Sequence, residues 1–334
     1  MLADRSILIT GCTGSLGSAL LRRALSGADG RPARVVGLSR DEEKQTRLER
    51  ELRREQERGG GEAIPFELRI GDVRDRGAVL RALRGVDLVL HTAALKQVPI
   101  CERFPEEAHA TNVGGPANII ASVAEHRLEV EAVVSVSTDK ACEPTSVLGM
   151  TKSLGERMLV AANLDVPRCR FLNVRLGNLL GSRGSVLPLW QEQQARGEPL
   201  TVTDPGMTRF LLTIEAAVDA MLFAVDRGGR GETIVAPAPA VRIGDLAEAV
   251  ASAAGSSISR VGARPGEKRH ERLISRHECE RTTRRGEYWV IAPDLAGLPA
   301  HEGETLSAPL TSDTEPLPPG RILSLIEESR GTRA

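Results

Sequence analysis

The chain has 334 residues, 41% of them hydrophobic and 27% charged, with a net charge of −1. This is enough apolar material for a sizeable core in about two domains, and it gives no electrostatic case for nucleic acid or an anionic membrane as a partner. No apolar run approaches the ~20 residues of a membrane span, the N-terminus lacks a signal-peptide pattern, and the five scattered cysteines contain no CxxC pair; a cytoplasmic, metal-free and disulfide-free protein is expected.

Residues 6–10 form a short β-rich run that leads straight into Gly11-Cys12-Thr13-Gly14-Ser15-Leu16-Gly17 and an apolar-periodic helix over 15–25. Residues 33–38 are a second predicted strand. The charged stretch 41–58, with Leu48 and Leu52 at helical spacing, reads as a solvated amphipathic helix that ends at the glycines of 59–61. Strands at 64–70, 86–91, 132–137 and 170–175 then alternate with helices at 76–83, 106–126 and 146–162, the second of these bent at Gly114-Gly115-Pro116. Strands alternating with helices predict a parallel sheet covered on both faces. The expected fold is α/β, a Rossmann-type doubly wound sheet.

After Asn178, Pro and Gly become frequent and the signals shorten. Helices are expected at 187–196, 214–225 and 243–254, and strands at 232–235 and 258–261. The predicted organisation is a dinucleotide-binding domain over 1–178, a smaller substrate lobe over 179–295 with returns to the main sheet, and a tail over 296–334. Within that tail, 296–319 is rich in Pro, Glu and Ser and is expected to order poorly; 321–330 is expected to close the chain as a helix.

The glycine run has the GxxGxxG spacing at a strand-to-helix junction. The first Gly permits the tight turn, the second lets a pyrophosphate approach the backbone, and the third lets helix and strand pack closely, leaving free N–H groups for phosphate. Gly11, Thr13, Gly14, Ser15, Leu16 and Gly17 are therefore expected cofactor contacts, joined by Ala93 just after the fourth strand. The second strand ends in Ser39-Arg40-Asp41. Arg accommodates a 2′-phosphate, whereas an acidic residue prefers a free 2′-hydroxyl. Ser39 and Arg40 favour NADP over NAD; Asp41 is the contrary signal, unless it starts the following helix. Asp72 and Val73, after the third strand, are expected at the adenine edge.

Two scarcities stand out. Tyr288 is the single tyrosine, and five of the 44 basic residues are lysine: Lys44, Lys96, Lys140, Lys152 and Lys268. No tyrosine in the first 287 residues is available for catalysis. In an arginine-rich chain, a retained lysine points to a place where a compact, deprotonatable ammonium matters. The fifth strand ends in Ser137-Thr138-Asp139-Lys140, a carboxylate and an ammonium at the ligand-facing edge of the sheet, suited to divide acid and base work.

The chain resembles the extended short-chain dehydrogenase/reductase superfamily, whose signature is Tyr-x-x-x-Lys on the helix after strand five. Lys152 matches that lysine and Leu148 occupies the tyrosine position. Within the superfamily it resembles the CapD-like polysaccharide-biosynthesis branch of UDP-N-acetylglucosamine 4,6-dehydratases, at 10–17, 39–45, 71–75, 91–101, 111–114, 137–144, 174–188, 202–210 and 264–268. Some members of that branch have Met at the tyrosine position; Leu148 departs from both versions, leaving the base for the sugar 4-hydroxyl to be found among Asp139, Lys140 and Lys152. The resemblance implies oxidation at sugar C4, removal of the C5 proton, loss of the C6 hydroxyl and return of hydride to C6. It implies Asp139 as the acid, Lys140 as the base at C5, Thr138 on O4, and Lys152 on the nicotinamide ribose. It further implies Lys96 at the sugar, and Asn178, Arg209, Arg264 and Glu267 at the UDP group, in a homo-oligomer built through the helices at 106–126 and 146–162. Two other readings of the same residues are a UDP-sugar 4-epimerase and a catalytically inactive nucleotide-binding scaffold.

Overall fold

The computed structural model describes residues 1–300 and 303–331. The first half alternates as β1 (Ser6–Thr10), α1 (Ser15–Ser26), β2 (Arg34–Ser39), α2 (Glu42–Gly59), β3 (Phe66–Ile70), α3 (Arg76–Leu83), β4 (Leu88–His91), α4 (Val98–Arg103), α5 (Pro105–Asn112), α6 (Gly114–Glu125), β5 (Ala132–Thr138), α7 (Val147–Asp165) and β6 (Arg170–Leu176). A nine-stranded sheet runs β3-β2-β1-β4-β5-β6 and continues through Thr233–Val235, Tyr288–Ile291 and Thr282–Arg285. The first seven strands in that order are parallel, Tyr288–Ile291 runs antiparallel to them, and Thr282–Arg285 pairs antiparallel with Tyr288–Ile291. Ile7, Leu8 and Ile9 of β1 have no exposed surface, because α1 and the helix Ile214–Arg227 cover one face while α3, α6 and α7 cover the other. The strand order reverses between β1 and β4, so a crevice opens at the strands' carboxyl ends beside the glycine loop.

The helix expected over 106–126 is broken into α5 and α6 at Val113. Pro116 has no N–H and is tolerated only in a first turn, so a new helix begins just before it. Asn112, at the end of α5, turns inward: its Oδ1 accepts from the Leu95 N–H at 2.9 Å and its amide donates to Thr151 Oγ1 at 3.1 Å. The preceding helix α4, with Pro99 near its start, had no periodic signal of its own.

The remaining lobe holds a three-stranded sheet in the order Ala240–Arg242, Thr208–Leu212, Asn178–Leu179, and a pair formed by Ile258–Arg260 and Leu200–Val202. Trp190, Leu200 and Leu246 pack there against Ile322 and Ile326 of the last helix, Pro319–Gly331. The segment expected to order poorly instead supplies the strand Leu310–Thr311, antiparallel to Arg272–Ile274. Its apolar positions Leu306, Leu310 and Leu317 pack on two core clusters, outweighing its polar composition; residues 301 and 302 of that segment lie outside the described residues. Among the described residues no helix is long and apolar enough to cross a membrane.

Candidate active site

A cleft of about 500 Å³ follows the carboxyl edge of the sheet. Gly11, Thr13, Gly14, Ser15, Leu16, Gly17, Ser39, Arg40, Asp72, Val73, Ala93 and Lys152 all line it. The glycines are sterically required. Gly11 has φ +68°, and a Cβ there would stand 2.7 Å from the Ala93 nitrogen; one at Gly17 would stand 2.3 Å from the Gly11 carbonyl oxygen. Gly14 caps α1 with no side-chain hydrogen bond, and the first turn carries no acidic residue. The positive end of the helix dipole is thus left for an outside anion, and the bare cradle fits a dinucleotide pyrophosphate. Asp41 is engaged in capping: its Oδ1 accepts from the Lys44 N–H at 3.0 Å at the start of α2. Arg40 lies 3.4 Å from Asp72, and Lys44 lines the cleft beside it.

β5 delivers Thr138 to the floor of the cleft, and a single 3-10 turn, Asp139–Ala141, follows. Gly149 allows α7 to pack on that turn, since a Cβ there would meet the Lys140 carbonyl oxygen at 2.2 Å. Thr138 Oγ1 donates to Asp139 Oδ1 at 2.9 Å, and Lys140 Nζ donates to the same oxygen at 3.0 Å and to Asn178 Oδ1 at 3.0 Å. Asp139 is fully buried and lines neither cleft; its Oδ2 has no hydrogen-bond partner among the described residues. The residue expected from the sequence as the acid therefore does not face either cleft, whereas its hydrogen-bond partners Thr138 and Lys140 do. Burial raises the Asp139 carboxyl above its ordinary range, the Lys140 ammonium opposing and the Glu271 carboxylate adding. Burial alone would lower Lys140, but the carboxylates of Asp139 and Glu271 outweigh it and hold the ammonium above its ordinary value.

Lys152 Nζ donates to the Val136 carbonyl at 2.6 Å. Burial lowers it from 10.5 to about 8, Glu156 opposing. One turn earlier on α7, Leu148 is buried against Cys101 and Ala108 and forms part of the cleft wall, so the position usually held by tyrosine is apolar.

A second cleft of about 240 Å³ joins the first at Lys96, Lys140 and Asn178. Arg209, Arg264 and Glu267 line it. Arg209 Nη2 lies 3.2 Å from Glu267 Oε1, and Glu267 Oε2 accepts from the Arg264 N–H at 3.2 Å; the Arg264 side chain itself stands at the exposed rim. Lys96 Nζ lies 3.4 Å from Ser182 Oγ, in a loop whose next residue, Arg183, donates to the Thr13 carbonyl and so spans the mouth of the larger cleft. Glu271, Lys268, Lys44 and Arg183 were not among the expected contacts. Glu271 lines the smaller cleft at 2% exposure, 3.5 Å from Lys140 Nζ, 3.6 Å from Lys268 Nζ and 4.0 Å from Arg209 Nε. Lys44 and Lys268 carried a usable signal, being two of the five lysines; a single acidic residue in a charged stretch carries none.

Residues 7–293 match the family described as polysaccharide biosynthesis protein. The chain is 40% identical over 301 residues to an uncharacterized membrane protein of Methanocaldococcus jannaschii, covering 87% of this chain and 86% of that one. It is 38% identical over 305 residues to a UDP-glucose 4-epimerase of Rickettsia canadensis, covering 88% and 84%. The X-ray structure of Pen from Bacillus thuringiensis superposes with a TM-score of 0.88 at 30% identity, covering 98% of this chain and 99% of that one. A match of this extent, over a doubly wound sheet with a bare glycine cradle, makes the chain a member of the polysaccharide biosynthesis protein family.

Proposed function

We propose that the chain is an NADP-dependent 4,6-dehydratase acting on UDP-N-acetylglucosamine or a close UDP-hexose. The observation that carries this reading is the Asp139–Lys140 pair, hydrogen-bonded at 3.0 Å where the two clefts meet. In this reading residues 1–178 hold the dinucleotide and 179–295 the UDP group. Gly11, Gly14 and Gly17 cradle the pyrophosphate, Arg40 and Lys44 face the 2′-phosphate, and Lys152 takes the nicotinamide ribose. Bound there, the dinucleotide supplies the acceptor for the C4 hydride and its return to C6.

A leucine at position 148 cannot accept a proton, so Thr138 and Asp139 take up the O4 proton. Thr138 Oγ1 accepts it while passing its own to Asp139 Oδ1, 2.9 Å away. The resulting 4-ketone acidifies C5–H. Neutral Lys140 takes the C5 proton, the C5–H electron pair becomes the C5=C6 double bond, and the C6–O bond breaks with its pair on oxygen. The hydroxyl leaves as water with the proton held by Asp139, delivered through Thr138. Lys140 later returns a proton to C5. Arg209 and Lys268 meet the diphosphate, Arg through its planar fork.

The relatives named UDP-glucose 4-epimerase support a second reading, epimerisation at C4 through the same ketone. It leaves the Asp139–Lys140 pair without a task. Incubation with UDP-N-acetylglucosamine in deuterated water separates the two. Dehydration gives loss of one water with deuterium at C5; a mass-neutral product altered at C4 refutes it. Lys140→Met is expected to lower water loss by about 10²–10⁴-fold with dinucleotide binding intact. Retained turnover would remove Lys140 from the mechanism.

A further inference from the structure

Within the dehydratase reading, on which this inference rests, one proton lacks a destination. Lys140 is an ammonium at rest, hydrogen-bonded to Asp139 and Asn178, and it must be neutral to take the C5 proton. Its side chain is only 20% exposed, and that surface opens into the clefts that the sugar fills. Asp139 is already holding the O4 proton at that moment. Asn178 Oδ1 accepts a hydrogen bond but not a proton, and Arg209 and Lys268 are cations. Among the described residues the one remaining group is Glu271, whose Oε1 lies 3.5 Å from Lys140 Nζ and whose Oε2 is buried without a hydrogen-bond partner there.

We propose that Glu271 is a positioning residue for the proton of Lys140: it receives one ammonium proton when the substrate closes the cleft and returns it after C5 has been reprotonated. The transfer moves one proton from Nζ to Oε1 and leaves the nitrogen lone pair free for C5–H; no oxidant or reductant takes part in it. Glu271 acts through Lys140 and not on the sugar.

The charged groups facing this carboxylate come from separate parts of the fold. Lys140 comes from the turn after β5, Arg209 from the strand Thr208–Leu212, and Lys268 from the loop just before Glu271; Asp139 lies behind Lys140. Burial would raise the Glu271 carboxyl, but Lys140, Arg209 and Lys268 outweigh it and hold it ionised at rest. Arg209 and Lys268 also line the cleft assigned to UDP. A bound diphosphate draws both cations toward itself, weakens their hold on Glu271, and raises its proton affinity when the base is needed. The base is thereby armed by occupancy of the phosphate site.

The test is deuterium incorporation at C5 and water loss from UDP-N-acetylglucosamine in deuterated water, measured from pH 6 to 9 with the full-length holoenzyme. A resident acceptor predicts a wild-type rate that varies less than about threefold across that range. Glu271→Gln should lose about 100-fold at pH 7 and recover about tenfold per pH unit, because Lys140 must then discharge to solvent before the sugar enters; NADP affinity should stay within twofold. A loss by the same factor at every pH, as from a structural defect alone, overturns the proposal, as does an unchanged rate. Where Glu271→Gln does not fold, the wild-type profile decides: a tenfold rise per unit means that Lys140 discharges to solvent. Wild-type enzyme that turns over but makes no dehydrated product refutes the dehydratase reading itself, a result distinct from either outcome for Glu271.

Discussion

Lys152→Met in the protein without dinucleotide tests how the cofactor cleft is held ready. Lys152 sits at 9% exposure with one hydrogen bond, to the Val136 carbonyl, and burial lowers it from 10.5 to about 8. That depression of about two and a half units corresponds to roughly 3 kcal/mol of cost for keeping the ammonium at neutral pH. Methionine removes the cost but also a hydrogen bond worth about 1–1.5 kcal/mol. The variant should be more stable than wild type by about 1–2 kcal/mol at pH 7, a rise in Tm of roughly 2–3 °C for a chain of this size. The sign with pH comes from proton counting. The unfolded lysine keeps its proton up to about 10.5, whereas the folded one releases it near 8, so wild type gains stability relative to the variant as pH rises between those values. The buried thiols of Cys12, Cys101, Cys142 and Cys169, raised to about 11 or 12 by burial, change the absolute stability above pH 9 but cancel in the difference. Urea unfolding of both proteins at pH 7 and pH 10 reads the gap. A gap that does not close, or a variant less stable than wild type at pH 7 by more than about 1 kcal/mol, refutes the reasoning. Under the proposed function, in which the ammonium holds the nicotinamide ribose, adding NADP should reverse the order at pH 7.

Gly17→Ala forces a Cβ to 2.3 Å from the backbone oxygen of Gly11; a loss of about 1–3 kcal/mol and at least tenfold weaker NADP binding by fluorescence titration are expected. Arg175 is buried between Glu156, at 2.7 Å, and Glu278, at 3.0 Å, and Arg175→Met should cost about 3–5 kcal/mol in denaturant unfolding by stranding two carboxylates. Burial would raise the Glu278 carboxyl, but Arg175 outweighs it and holds it at about 2. Its stabilisation is present above pH 4.5 and lost as pH falls toward 2, so Glu278→Gln should flatten the acid limb of stability against pH. Arg209→Lys keeps a cation beside Glu271 but loses the planar fork; KM for the UDP-sugar should rise about tenfold with kcat within threefold.

The alternating half was legible because each signal is local. β1 to β6 begin and end within about two residues of the apolar runs that mark them, and α3 matches its expected bounds. Of the short strands after Asn178, those expected at 232–235 and 258–261 form as Thr233–Val235 and Ile258–Arg260, but the others were not legible. Thr208–Leu212 takes one partner strand from Ala240–Arg242, and Arg272–Ile274 pairs with Leu310–Thr311, so the cause of strand formation lies in distant chain. The site divides the same way. The glycine loop and the Thr138-Asp139-Lys140 run are each contiguous, and their position at a strand end was enough to nominate them. Glu271 reaches Lys140 only through the tertiary fold, and Asp139 sits behind its neighbours because of how α7 seats on the turn, which no spacing encodes.

The C-terminal segment carries a consequence for how the protein comes into being. Ser312 is fully buried; its Oγ accepts from the Glu271 N–H at 2.9 Å, and its own N–H donates to the Glu271 carbonyl at 2.9 Å. The wall behind the buried carboxylate is therefore made from residues synthesised well after the glycine cradle. A nascent chain can complete its glycine cradle and six parallel strands long before that wall exists, so under the proposed function its capacity to hold a nucleotide precedes its capacity to move protons. On the same reading, damage to the segment around Ser312 falls first on the chemistry and spares the glycine cradle and the parallel strands.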